Sequence, residues 1–165
     1  NQLETKGIEV GHIFYFGDKY SKPMNCSVDT KEGKKTYVKM GSYGIGVSRL
    51  VAAIIEAKYI NEKMKWPKSV SPFEVVIIPA INKNDNSNLE KAMMVYKELK
   101  TKEIDVLLDD VDENISNKFK KHDLLGIPYQ IIIGSKAKKN EFEFKEIDKA
   151  SQMLDLNKII KLLKK

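Results

Sequence analysis

Cysteine, arginine and long apolar runs are what this sequence has little of. A single cysteine, Cys26, excludes an internal disulfide, and no Cys/His group has metal-ligand spacing, so neither a disulfide scaffold nor structural zinc is expected and a reducing, cytoplasmic setting is the default. No apolar stretch approaches the ~20 residues that span a bilayer. The N-terminus also lacks the basic-then-apolar layout of a signal peptide, which sets the expectation of a soluble protein with no membrane partner. Arginine occurs once, at Arg49, among 29 cationic residues. Almost every positive charge is therefore a hydrated lysine on a flexible stem, and the place of the one planar five-donor fork carries information.

What is present is enough for one sizeable core and part of a second domain: 165 residues, 42% of them hydrophobic. The net charge of +6 is compatible with a polyanionic partner or with nothing more than a solvated basic surface.

Along the first seventy residues, Ile8 to Phe16 alternates as a strand, Glu32-Gly33-Lys34 offers a turn, and Thr36 to Met40 is a second extended run. Together they predict an antiparallel pair with a long connection. Gly41 to Gly46 is expected to form a flexible turn that lets backbone approach a ligand. Val47, Leu50, Val51, Ile54 and Ala57 predict a helix from Gly46 to about Lys58. The charged, aperiodic stretch 61–71, with Trp66-Pro67, reads as an interdomain linker ending near Ser71.

Beyond it the pattern alternates strand and helix. Phe73 to Pro79, Asp105 to Leu108 and Tyr129 to Ile133 are buried strands, and Ser87 to about Glu103 is a helix. Ile115 and Phe119 mark a short helix stopped by Gly126-Ile127-Pro128, with Phe119 expected in the core. Glu141 to Glu146 reads as a half-exposed edge strand and Leu156 to Leu163 as an amphipathic helix. The expectation is an α/β chain whose second domain is a three-layer α/β/α sandwich around a mixed sheet.

The chemical signal is Gly44-x-Gly46-x-x-Arg49. Glycines without Cβ atoms would let a nucleotide lie against backbone, and an arginine one turn into the helix would aim donors at phosphate oxygens; a structural turn with an exposed arginine is the plain alternative. A dinucleotide-binding fingerprint is rejected, because no following βαβ unit and no acidic ribose ligand accompany the glycines.

Three blocks carry a family resemblance: Gly7-Ile-Glu-Val-Gly-His-Ile-Phe14, Gly17-x-Lys19-Tyr20-Ser21, and Met40-Gly-x-Tyr-Gly-Ile-Gly-Val-Ser-Arg49. In order and spacing they resemble the bacterial-type prolyl-tRNA synthetases, the last block containing motif 3 of class II synthetases. Trp66-Pro67, Pro72-Phe73, Val106-Leu-Leu-Asp-Asp110, Lys118-Phe119 and Asp123-Leu-x-Gly-Ile-Pro128 extend the resemblance over essentially the whole chain. It implies three segments: the C-terminal part of a class II catalytic domain with an antiparallel sheet (1–60), a linker (61–71) and an anticodon-binding domain (72–165).

The resemblance further implies a proline-tRNA ligase that uses ATP with Mg²⁺, L-proline and tRNA-Pro and is a homodimer at full length. Motifs 1 and 2 are expected upstream of Asn1, so the 165 residues alone are expected to be inactive. Arg49, as the motif 3 arginine, would bind ATP phosphate beside Gly44 and Gly46. Gly11, His12 and Ser42 would line the proline pocket, with serine standing where the family usually has cysteine.

Lys118 and Lys121, three apart on the short helix, and Lys136 after the third strand are the candidate tRNA contacts, and no metal ligand is expected in the protein. Val111 and Asn114 stand where the family often has base-reading arginines. The competing readings are a stand-alone tRNA- or RNA-binding module without catalysis and another class II synthetase, threonyl or histidyl.

Overall fold

Glycine rather than β-branched residues decides how the first strands pair. The computed structural model describes residues 6–82, 85–135 and 140–164, and the chain divides into two units, Asn1–Glu56 and Ala57–Lys165. In the first unit, β1 (Gly11–Gly17), β2 (Ser27–Asp29), β3 (Lys35–Tyr37) and β4 (Met40–Ile45) precede helix α1 (Val47–Lys58). The turn at Gly33 (φ 73°) joins β2 to β3, and Thr30 Oγ1 accepts from the amides of Glu32 and Lys34.

The expected partner of the first strand is corrected: β3 pairs with β2, whereas β1 pairs antiparallel with the glycine segment β4. The reason is steric. A Cβ on Gly11 would sit 2.6 Å from the Gly44 carbonyl oxygen, and one on Gly41 3.1 Å from that of Phe14. The glycines expected to loosen a loop instead let two backbones close into a ladder. A bulge between Tyr15 and Gly17 bends the end of the ribbon, with Gly17 at φ 57°. Ser21 is the single buried residue among the described residues 6–56, so this unit has no apolar core of its own.

The second unit opens with the hairpin β5 (Tyr59–Ile60) and β6 (Lys63–Met64), turned by Asn61 and Glu62, both at positive φ. The stretch 61–71, expected as a linker, is folded into this unit. Met64 is buried, the Trp66 amide donates to the Gly126 carbonyl at 3.0 Å, and the Trp66 indole N–H donates to Leu125 O at 3.0 Å. Then follow β7 (Val75–Pro79), α2 (Ser87–Thr101), β8 (Val106–Leu108), α3 (Ile115–Leu125), β9 (Tyr129–Ile133), β10 (Glu141–Glu146), β11 (Gln152–Asp155) and α4 (Leu156–Leu163).

These strands form one mixed sheet in the order β11-β10-β9-β7-β8, with β7 parallel to β8 and β9 and β10 antiparallel to β9 and β11. Alternation along the strands feeds two cores. Val75, Ile77, Ile131 and Ile133 pack with Ala92, Val95 and Leu99 of α2 and Ile159 and Leu163 of α4. Val76 and Ile78 pack with Ile115 and Phe119 of α3 on the opposite face.

The domain is thus the expected three-layer sandwich around a mixed sheet, with Phe119 in the core. The expected edge position of β10 is corrected: β11 pairs outside it, and Phe142 and Phe144 are buried. Among the described residues no helix is long and apolar enough to cross a membrane.

Candidate functional site

In the first unit, Gly46 stands where the ribbon becomes a helix. Its N–H donates to Val10 O at 2.9 Å and its carbonyl accepts from the Leu50 amide. A Cβ on Gly46 would meet the Arg49 Cβ at 3.2 Å, so the missing side chain makes room for the arginine stem. Arg49 Nη1 donates to the Glu9 carbonyl oxygen at 3.1 Å and lies 3.6 Å from Glu9 Oε1. That same Oε1 accepts from His12 Nδ1 at 3.0 Å. Glu9 therefore joins two candidate residues that lie 37 positions apart in sequence (49 − 12).

Residues facing each other in an antiparallel pair share one side of the ribbon. The register sets His12 opposite Gly44 and Phe14 opposite Ser42, so His12, Ser42 and Gly44 share a face. Open space lies where a Gly44 side chain would begin, which leaves flat backbone available to a ligand. The His12 ring meets Phe14 edge to face at 4.4 Å. Gly11 falls on the other face, opposite Ile45, where its own role is to admit the Gly44 carbonyl. Glu9, His12 and Arg49 are all more than half exposed in this unit, so each pair alone is worth less than about 1 kcal/mol and the arrangement matters as geometry.

In the second unit the candidates cluster at the carboxyl ends of β7 and β8. Lys118, expected as a surface contact, is fully buried: its Nζ donates to Asp109 O at 2.8 Å and Pro79 O at 3.3 Å, and lies 3.6 Å from Asp109 Oδ1. A direct phosphate or base contact by Lys118 is thereby corrected. The face of α3 that turns Ile115 and Phe119 toward the sheet carries Lys118 and His122 inward with them. Lys121 is half-exposed, 2.8 Å from Asp109 Oδ2 and 3.5 Å from Glu113 Oε2. Lys136 lies outside the described residues.

Asp109 is the hub. Its Oδ2 also meets His122 Nε2 at 2.6 Å, and both residues are buried. Burial pushes the Asp109 carboxyl upward, but the Lys121 and His122 hydrogen bonds and the Lys118 charge outweigh it and hold the pKa below the ordinary carboxylate value. For His122, burial dominates and lowers the pKa despite the Asp109 partner; the ring is neutral with its proton on Nε2. His122 Nδ1 is then a buried acceptor with no partner among the described residues. Burial likewise lowers Lys118, while the Asp109 hydrogen bond raises Lys121.

Asn114, where an arginine would be expected, caps α3 by accepting from the Ser116 amide at 2.9 Å, and Val111 is exposed. Among the described residues no group of three His, Cys, Asp or Glu is placed to hold a metal ion. Sequence reasoning missed Glu9 and the Asp109–His122 pair. Glu9 precedes a strand and carries no periodic signal. Lys118 and His122, four apart in register with Ile115, could have been found as polar residues on the apolar stripe of the helix.

Residues 74–165 match the family described as "Anticodon binding domain". The whole chain is similar to the proline-tRNA ligase of Pelagibacter ubique (strain HTCC1062), 61% identical over 99% of this chain and 37% of that protein. It is similar also to those of Rickettsia canadensis (strain McKiel), 54% identical over 86% of this chain and 32% of that protein, and of the Wolbachia from Brugia malayi (strain TRS), 53% identical over 81% and 31%. The chain therefore spans about a third of the length of these curated relatives.

Proposed function

The chain belongs to the anticodon-binding domain family, and from that premise we propose that it is the motif 3 and anticodon-binding portion of a proline-tRNA ligase. The overall reaction joins the proline carboxylate to the α-phosphate of ATP, releasing pyrophosphate, and then passes the prolyl group to a terminal ribose hydroxyl of tRNA-Pro, releasing AMP. Catalysis of this kind rests on positioning and charge stabilisation more than on covalent work by side chains.

The observation that carries the reading is the near-complete alignment to proline-tRNA ligases, together with a lone arginine seated against Gly46 on a ribbon that exposes flat backbone at Gly44. Arg49 is the phosphate ligand, and its guanidinium keeps an Nε–Nη2 edge beyond the Glu9 contact. Mg²⁺ arrives with the triphosphate. His12 and Ser42 face the proline pocket, and Gly11 supports it by holding the strands close.

The second unit binds the anticodon stem-loop of tRNA-Pro, with Lys121 and Lys136 as cationic contacts. A homodimer in the cytoplasm, with upstream chain covering the open face of the β1–β4 ribbon, completes the reading. The test is proline-dependent ATP–pyrophosphate exchange with the intact gene product. Arg49→Ala should depress exchange by at least about a hundredfold, the scale of losing one preorganised charge contact. Near-normal exchange in that variant would remove the nucleotide role, and a wild-type protein with tRNA affinity but no exchange would make it a binding module.

A further inference from the structure

Glu9 is the residue that the two halves of the candidate site share. Its backbone carbonyl takes one N–H of Arg49 at 3.1 Å, its carboxylate lies 3.6 Å from the same nitrogen, and Oε1 accepts from His12 Nδ1 at 3.0 Å. We propose that Glu9 is a positioning residue that sets the guanidinium of Arg49 and the tautomer of His12 together, so that the phosphate-binding and amino-acid-binding sides of the ribbon are held in register. The inference rests on the reading of Arg49 as a phosphate ligand.

The chemistry is specific. A guanidinium has five donors in a rigid plane, and binding a phosphate through two parallel N–H groups uses one edge of it. The Glu9 backbone carbonyl occupies Nη1 and fixes the plane, the carboxylate 3.6 Å away adds a charge beside it, and the Nε–Nη2 edge is left for an anion, so Glu9 orients the fork without consuming it. A carboxylate oxygen only accepts, so the nitrogen it meets must carry the proton. Nδ1–H therefore points at Glu9, so in the neutral form of the ring the lone pair lies on Nε2, where it can take a hydrogen bond from a substrate N–H. The other contacts of the two residues are consistent with these roles: the Arg49 stem rests on Gly46, and the His12 ring is braced edge-on by Phe14.

The test uses the intact gene product with Glu9→Ala, Glu9→Gln and Arg49→Ala in the pyrophosphate-exchange assay, resolving kcat and KM for ATP and for proline. Because the Arg49 bond to the Glu9 backbone survives a side-chain change, Glu9→Ala should raise the proline KM by about threefold and the ATP KM by about twofold, each equivalent to less than about 1 kcal/mol. Glu9→Gln keeps an acceptor oxygen for His12 but removes the charge beside Arg49. It should restore the proline KM and leave the ATP KM raised, a split that a general loss of structure would not produce.

Wild-type constants in Glu9→Ala alongside an inactive Arg49→Ala would overturn the Glu9 inference and leave the site reading standing. Near-normal Arg49→Ala would instead overturn the site reading. Equal losses in Glu9→Ala and Glu9→Gln with a lowered melting temperature would assign Glu9 a structural role and overturn the inference.

Discussion

His122 and Lys118 are where burial and charge meet most sharply. The folded pKa of His122 lies below its ordinary value, so the unfolded chain binds the proton first as pH falls below about 6.5. Its contribution to stability is fully present above that pH and is lost as pH drops through the depressed folded value. Thermal melts from pH 7.5 downward should show the midpoint falling in this window, and His122→Gln should flatten the slope. A second loss, from Asp109, belongs below about 3.9, again because the folded pKa is the lower one. Lys118→Met removes the donor from two buried carbonyls and a cation from Asp109. It should cost roughly 3 kcal/mol in denaturant titration. Since Lys118 is buried, that variant should leave the salt dependence of the proposed tRNA binding unchanged, whereas Lys121→Ala should reduce the slope of log affinity against log salt by about one.

At the level of elements, the end of α3 is packed tightly against β6. Gly126 has φ 73°, and a Cβ there would lie 2.6 Å from Met64 Cγ and 2.8 Å from the Met64 carbonyl oxygen. Gly126→Ala combines a left-handed alanine with a backbone clash and should destabilise the second unit by roughly 2–4 kcal/mol, measured by chemical denaturation. This helix end was legible in the sequence because glycine followed by Ile-Pro is a local stop signal, and Tyr129–Ile133 and Leu156–Leu163 were legible because their apolar runs have fixed period and length. The strand β4 was not, since a glycine-rich segment reads as a loop unless the backbone it approaches is known. Nor was β11, four residues that run straight into α4 and share Asp155 with it as N-cap, its carboxylate accepting from the Lys158 amide at 2.9 Å. Motif order points to Arg49 and His12 as candidates and is silent about Glu9. Exposure was the other blind spot: spacing puts Lys118 and Lys121 on one helix face without saying that Lys118 turns inward and Lys121 stays half-exposed.

Across the whole molecule, burial is divided unequally. Val75, Ile77, Ile131 and Ile133 are fully covered, while Ile13 and Tyr43 of the first unit are 84% and 83% exposed. Hydrogen exchange on these 165 residues should find the amides of β7 and β9 protected to near the global unfolding limit and those of β1 and β4 exchanging orders of magnitude faster. Equal protection in both ribbons and sheet would contradict this distribution. The same asymmetry separates what can be assayed by melting from what can be assayed by turnover. Cooperative unfolding of this chain reports on the sandwich, whereas Glu9, His12 and Arg49 sit in a part that contributes little to that signal. A substitution there can leave every melting curve untouched and still remove the proposed phosphate contact, so a normal thermal profile is no certificate of an intact site.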